Sequence, residues 1–168
     1  MQWEEHPVPS FRPPHRYQEV CMAVSCVVKW IGERHFVGVD SGNHSVVLSG
    51  QSEGIGVKPS EMLLVALAAC SAVDVVEILE KKRLTLQMPE VVITGDRDPT
   101  PPRPFRAINV AYRLAGDGLT DKAVSQAITL SQDKYCSVAA TVRGVARITT
   151  EYTILNQVSA APDKSITS

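Results

Sequence analysis

Between Glu61 and Arg83 the chain runs for 23 residues without glycine or proline, rich in alanine and leucine, and Gly54, Gly56 and Pro59 stand before it. Strong helix formers in one unbroken run predict a single long helix, with Ser60 placed to cap it. Its first half is apolar almost all round: Met62 to Val73 is 12 residues without a charge. A bilayer span needs roughly 20, so the run reads as a buried core helix. Glu77, Glu80, Lys81, Lys82 and Arg83 make the second half polar, with basic groups where the helix dipole favours them. A helix this apolar needs a cover larger than one small chain, which points to a second subunit.

The remaining segments supply strands. Val24, Cys26, Val28 and Trp30 alternate with other residues, Gly32-Glu33-Arg34 reads as a turn, and Phe36, Val37 and Val39 resume an extended pattern. Cys26 thus falls on one face of a first strand. A third strand follows at residues 45–49, after Ser41-Gly42-Asn43-His44. Further strands are expected over 91–93 and 105–114, separated by the proline-laden 99–104, and over 145–155. Thr120 is placed to cap a second helix that turns Val124, Ala127 and Ile128 to one side. Strands and helices in this order, without regular βαβ alternation, predict an α+β domain with mainly antiparallel sheet. That domain is expected over 22–155, between a proline-rich arm at 1–21 and a polar tail at 156–168.

A chain of 168 residues with net charge −1, 21% charged and 44% hydrophobic residues fits one ordinary soluble domain. Neither a nucleic-acid nor a membrane partner is expected. The start Met1-Gln2-Trp3-Glu4-Glu5 has no basic segment followed by an apolar run, so a cytoplasmic, reducing setting is expected. Four cysteines, Cys21, Cys26, Cys70 and Cys136, are too sparse for a secreted disulfide framework, which leaves redox, metal and core roles open.

Cys70 sits midway along the apolar helix, where a cysteine most often packs as a small hydrophobe. Asp74 stands four residues on, on the same helix face, and by itself would suppress a thiolate. A functional Cys70 therefore requires a cation, for which Arg34, Lys134 and Arg143 are the candidates. Cys136 lies in Asp133-Lys134-Tyr135-Cys136-Ser137-Val138, next to Lys134. If Ser137 onward is helical, its thiolate gains from the helix N-terminus; the competing reading is an inert half-buried thiol. Cys21 and Cys26, with His6 and His15 upstream, are too irregularly spaced for a zinc site, and no metal is expected. His35 and His44 fall in turns and carry no catalytic expectation.

Two segments in order, Pro59-Ser60-Glu61-Met62-Leu63-Leu64 leading to Ala69-Cys70-Ser71-Ala72-Val73-Asp74, and Leu130-Ser131-Gln132-Asp133-Lys134-Tyr135-Cys136-Ser137-Val138, resemble the OsmC/Ohr superfamily. The resemblance implies an intertwined α+β homodimer with a buried central helix and a pocket lined by two cysteines. It implies a peroxidase for organic hydroperoxides, alkyl or fatty-acyl, acting in oxidative or osmotic stress defence. Cys70 would be peroxidatic and Cys136 resolving, with no cofactor and an external dithiol such as a lipoyl or thioredoxin-type protein as reductant. Peroxidases of the superfamily place a glutamate directly after the proline and pair it with an arginine. Here Ser60 occupies that position, Glu61 follows it, and Arg34 is the counterpart of the arginine. Glu61, Arg34, Asp74 and Ser60 are thus the candidate supporting residues. The pattern is closer to the OsmC-like branch than to dedicated organic hydroperoxide resistance enzymes. The alternative is a redox-sensing or small apolar ligand-binding protein without efficient turnover.

Overall fold

The computed structural model describes residues 24–50, 54–87 and 90–155. The expected arm and tail, and Cys21 with them, lie outside the described residues. The chain divides into two compact units, Met1–Gly56 and Val57–Ser168.

The first unit is an antiparallel meander of β1 (Val27–Gly32), β2 (His35–Val39) and β3 (Ser45–Ser49), paired in that order. Positive φ at Gly32 (121°) and Glu33 (48°) turns the chain from β1 to β2. Between β2 and β3, Asp40 accepts hydrogen bonds from the backbone N–H groups of Gly42 and His44, each at 2.8 Å. The meander is the one the hydropathy pattern predicts, but β1 begins at Val27, so Cys26 precedes the strand and is exposed.

The second unit is built on α1 (Pro59–Lys81) and the long strand β6 (Phe105–Asp117). On β6, Ile108, Val110, Tyr112 and Leu114 are all buried, the period-2 alternation of a strand with one covered face. Along one edge β6 pairs antiparallel with β5 (Glu90–Arg97), and along the other it pairs parallel with β7 (Arg147–Leu155). A two-residue β4 (Thr85–Leu86) joins the end of β6 at Gly116 and Asp117. A Cβ at Gly116 would lie 1.9 Å from the Thr85 carbonyl oxygen, so only glycine permits that approach. The expected α+β fold with mainly antiparallel sheet is observed, and the β6–β7 pair is its parallel exception. A parallel pair needs a crossover, here made by α2 (Asp121–Leu130) and α3 (Ser137–Val142).

The helices follow their local signals with two corrections. Pro59 takes the first helical position and Lys58, in extended geometry, is the N-cap without a side-chain bond, so Ser60 lies inside the first turn and caps nothing. Proline's fixed φ and missing N–H suit that first position. At the other end Arg83 has φ 61°, and the helix stops at Lys81. Thr120 caps α2 as predicted, accepting from the Ala123 N–H at 3.2 Å, and Val124, Ala127 and Ile128 are its buried residues.

Among the described residues, the buried positions of α1 form one stripe: Leu67, Ala68, Ser71, Val75 and Leu79. Leu63, Val65 and Val73 remain 41%, 47% and 58% exposed. By length and composition alone this helix would cross a membrane, yet its stripe packs into the same cluster as β6, α2 and α3. Leu79 has no exposed surface at all. Leu79→Ala should cost about 3 kcal/mol, the usual scale for a cavity at a filled core site. Urea unfolding followed by far-UV circular dichroism should show the lower midpoint at unchanged slope.

Candidate functional site

Cys70 and Asp74 stand one turn apart on α1, next to the buried stripe that contains Ser71. Cys136 comes from the crossover. After Leu130 the helix widens into a π-helical turn, Ser131–Tyr135, closed by the Cys136 N–H donating to the Ser131 carbonyl at 2.8 Å. The Arg143 guanidinium holds this turn, donating to the Gln132 carbonyl at 2.6 Å and standing 3.7 Å from the Asp133 carboxylate. Cys136 itself leaves the helical region (φ −70°, ψ 101°) and is the N-cap of α3, its sulfur accepting from the Ala139 N–H at 3.3 Å.

The outcome is a three-residue convergence. The Sγ atoms of Cys70 and Cys136 and a carboxylate oxygen of Asp74 lie within 4.8 Å of one another. Cys136 is buried and Cys70 and Asp74 are half-buried.

Behind them runs a buried row of hydroxyls. Ser131 Oγ donates to Asp74 Oδ2 at 2.9 Å, and Ser71 Oγ lies 3.0 Å from Ser131 Oγ and in hydrogen-bond contact with the Tyr112 hydroxyl. Gln132 Nε2 donates to both Ser71 Oγ (3.0 Å) and the Tyr112 hydroxyl (3.2 Å). Each hydroxyl has one proton; with that of Ser131 on Asp74 at 2.9 Å, a shorter contact than the Ser71 carbonyl at 3.3 Å, Ser71 donates to Ser131 and Tyr112 donates to Ser71. The row is one-directional and ends on the Asp74 carboxylate. Burial raises the Tyr112 pKa, which keeps the phenol a donor. Gln132 Oε1 is buried without a hydrogen-bond partner among the described residues.

Burial, first, then the hydrogen bond shared with Cys70 and, more weakly, the Cys70 and Asp74 charges push the Cys136 thiol up to about 11, against the opposing pull of the Ala139 N–H. The sequence set Cys136 at a helix N-terminus and left two readings, a favoured thiolate or an inert half-buried thiol; the structure favours the second. Burial among acidic neighbours outweighs one N–H. Nor does Lys134 help: it is exposed, with its ammonium 5.3 Å from the ring of its neighbour Tyr135.

Of the other candidates, Glu61 is exposed and pairs with Lys58 at 3.2 Å, while Ser60 and Leu63 line a cavity of about 500 Å³ with Phe105, Val142 and Val145. Arg34 belongs to the first unit, at the β1–β2 turn, where its carbonyl accepts from the Gly50 N–H at 2.9 Å. Asp74 is therefore the supporting candidate that the second unit brings to the thiols. Ser71, Tyr112, Ser131 and Gln132 escaped sequence reasoning, because single serines and a tyrosine far apart in the chain carry no spacing signal. The one legible hint was Ser71, a polar residue in a stripe of apolar ones.

A family model described as OsmC-like protein matches residues 50–151. Protein YhfA of Escherichia coli K12 is 38% identical over 128 residues, 76% of this chain and 96% of that protein. The chain belongs to the OsmC-like family. A hypothetical protein of Aquifex aeolicus VF5 has the same fold, with 28% identity, a TM-score of 0.72, and coverage of 80% of this chain and 98% of that one. An organic hydroperoxide resistance protein OsmC of Legionella pneumophila, at 14% identity and TM-score 0.58 over 80% and 99% of the two chains, shares the OsmC-like fold alone.

The raised Cys136 pKa has a measurable sign. The folded state binds this proton more tightly than the unfolded chain, whose ordinary value is 9.0, so stability from this group is complete below pH 9 and is lost as pH rises to about 11. Alkylation of the reduced protein by iodoacetamide should reach exposed Cys26 first, with Cys136 modified appreciably only as pH nears about 11. Peptide mass spectrometry across a pH series reads this order.

Proposed function

We propose that this OsmC-like protein is a cysteine-based peroxidase for organic hydroperoxides, working in a reducing, cytoplasmic setting. The observation that supports this reading is the approach of the Cys70 and Cys136 sulfurs to within 4.8 Å, beside Asp74. A disulfide has sulfurs about 2.0 Å apart, so a side-chain rotation and a small shift of α3 would close the pair.

The Cys70 thiolate attacks the distal oxygen of the hydroperoxide, the O–O bond breaks, and the alkoxide leaves as the alcohol after taking the proton that Asp74 accepted from the thiol. The Cys136 sulfur then attacks the Cys70 sulfenic acid. The S–O bond breaks and water departs with the Cys136 proton, leaving a Cys70–Cys136 disulfide. An external dithiol, of lipoyl or thioredoxin type, reduces that disulfide and is itself oxidised. Ser131 fixes the Asp74 carboxylate during both proton movements.

The apolar tail of the hydroperoxide is assigned to the roughly 500 Å³ cavity at Leu63, Phe105 and Val142, about 10 Å along α1 from Cys70 on the same helix face. The larger apolar hollow along Val65, Ala69, Ala72, Val73 and Val76, about 510 Å³, lies roughly 150° around α1 from Cys70 and Asp74. It suits a second subunit rather than substrate. A homodimer burying this face is part of the proposal, and light scattering in solution should give twice the chain mass.

A second reading, redox sensing without efficient turnover, draws on one observation: the charges that act on Cys136 besides the helix N–H are both negative, and they oppose the thiolate. Steady-state consumption of cumene hydroperoxide with a dithiol separates the two. In the peroxidase, Cys70→Ser falls to background, and Cys136→Ser stops after about two equivalents, one to form the Cys70 sulfenic acid and a second to carry it to sulfinic acid, a gain of about 32 Da. Oxidation of the wild type once per chain, with no catalytic cycling, favours the sensor. Unchanged turnover in Cys70→Ser rules out the peroxidase mechanism.

A further inference from the structure

The geometry points to a thiophilic divalent-cation site, suited to Zn²⁺, with Cys70 Sγ, Cys136 Sγ and an Asp74 carboxylate oxygen as its three protein ligands and water as the fourth. Among the described residues this is where three groups able to ligate a metal come together, all within 4.8 Å of one another. Tetrahedral zinc, with Zn–S of about 2.3 Å and Zn–O of about 2.0–2.2 Å, sets its ligands about 3.5–3.8 Å apart, so adjustments of about 1 Å suffice.

Three further features fit a metal centre. Two ligands come from adjacent turns of α1 and the third from the start of α3, which the Arg143-held π turn positions, so the ligand set sits on regular elements rather than a loop. Each outer ligand is oriented from behind: Ser131 Oγ donates to Asp74 Oδ2 at 2.9 Å, and the Ala139 N–H donates to Cys136 Sγ at 3.3 Å. Such partners fix ligand direction in metal centres. Asp74 also lines a cavity of about 310 Å³ with Glu77, Lys81, Lys82 and Tyr135, which leaves room at the carboxylate for the water ligand. Two sulfurs and one carboxylate suit zinc rather than the hard ions calcium or magnesium.

Binding exchanges two S–H protons for the metal: one Zn²⁺ and two thiols give a bis-thiolate and two protons, and no electron moves. A disulfide offers no thiolate. Metal occupancy and Cys70–Cys136 oxidation are therefore mutually exclusive, and the ion would shield the pair from peroxide. This goes beyond the peroxidase reading and stands without it.

The test is an anaerobic titration of the reduced, full-length protein with Co²⁺, a coloured stand-in for zinc. A thiolate-to-cobalt charge-transfer band should saturate at one equivalent per chain and be displaced by Zn²⁺. Oxidation of the wild type with diamide should abolish it, as should Cys70→Ser or Cys136→Ser. Ser131→Ala should keep the band but weaken binding about 10–100-fold, the effect of losing an orienting partner. If a cysteine variant does not fold, replacement of Cys21 and Cys26 decides: the band must survive it and still be lost on diamide oxidation. No band in the reduced wild type overturns the site, as does a band that survives Cys70→Ser with Cys136→Ser and is lost when Cys21 and Cys26 are replaced. Peroxide turnover without a cobalt band overturns this inference alone; a cobalt band without turnover overturns only the peroxidase reading.

Discussion

A hydroxyl buried in an apolar stripe must find a partner, and Ser71, fully buried between Leu67 and Val75, imposes that requirement on everything packed against α1. Tyr112 answers it from β6, and Ser131 and Gln132 answer it from the end of α2. An ordinary α-helical continuation past Leu130 would rotate these side chains away. The π turn, with its extra residue, aims Ser131 and Gln132 at the row and delivers Cys136 beyond it, opposite Cys70. The polar row and the thiol pair are thus one construction: the bonds that satisfy Ser71 also hold Asp74 and place the second sulfur.

The two sides of α1 serve different ends. The stripe Leu67, Val75 and Leu79 joins the β6 and α2 side chains in a dry core. Cys70 and Asp74 border that core and face the crossover, where a carboxylate and two sulfurs share a small space. On the remaining apolar face Val65 and Val73 are 47% and 58% exposed. A helix with apolar residues on nearly every side reads in the sequence as deeply buried, whereas the sheet and two short helices of the second unit cover one stripe of it.

Elements governed by short-range rules were legible. The long helix follows from an unbroken run of helix formers, the α2 cap from Thr120, its inner face from Val124, Ala127 and Ile128, and the first meander from alternation and turn residues. The α1 cap was misassigned because Ser60 competes with Pro59, and proline's fixed geometry claims the first position. The two thiols were legible as a pair only through the superfamily motifs. The π turn, the parallel partner of β6 and the hydroxyl row left no local trace.

The sequence by itself determined the main helices and strands, the α+β class, the family and the choice of Cys70 and Cys136 as candidates, since each depends on neighbours along the chain or on motif identity. Only the tertiary structure decided how those side chains behave. The Cys136 thiol sits at a helix N-terminus, which favours the anion, yet burial and the approach of Cys70 and Asp74 hold it neutral to about 11. Arg143, a sequence candidate for activating a thiol, is engaged by the Gln132 carbonyl instead. Desolvation and charge–charge energies depend on distances through space, and residues from 70 to 143 reach those distances only once the crossover has folded onto α1.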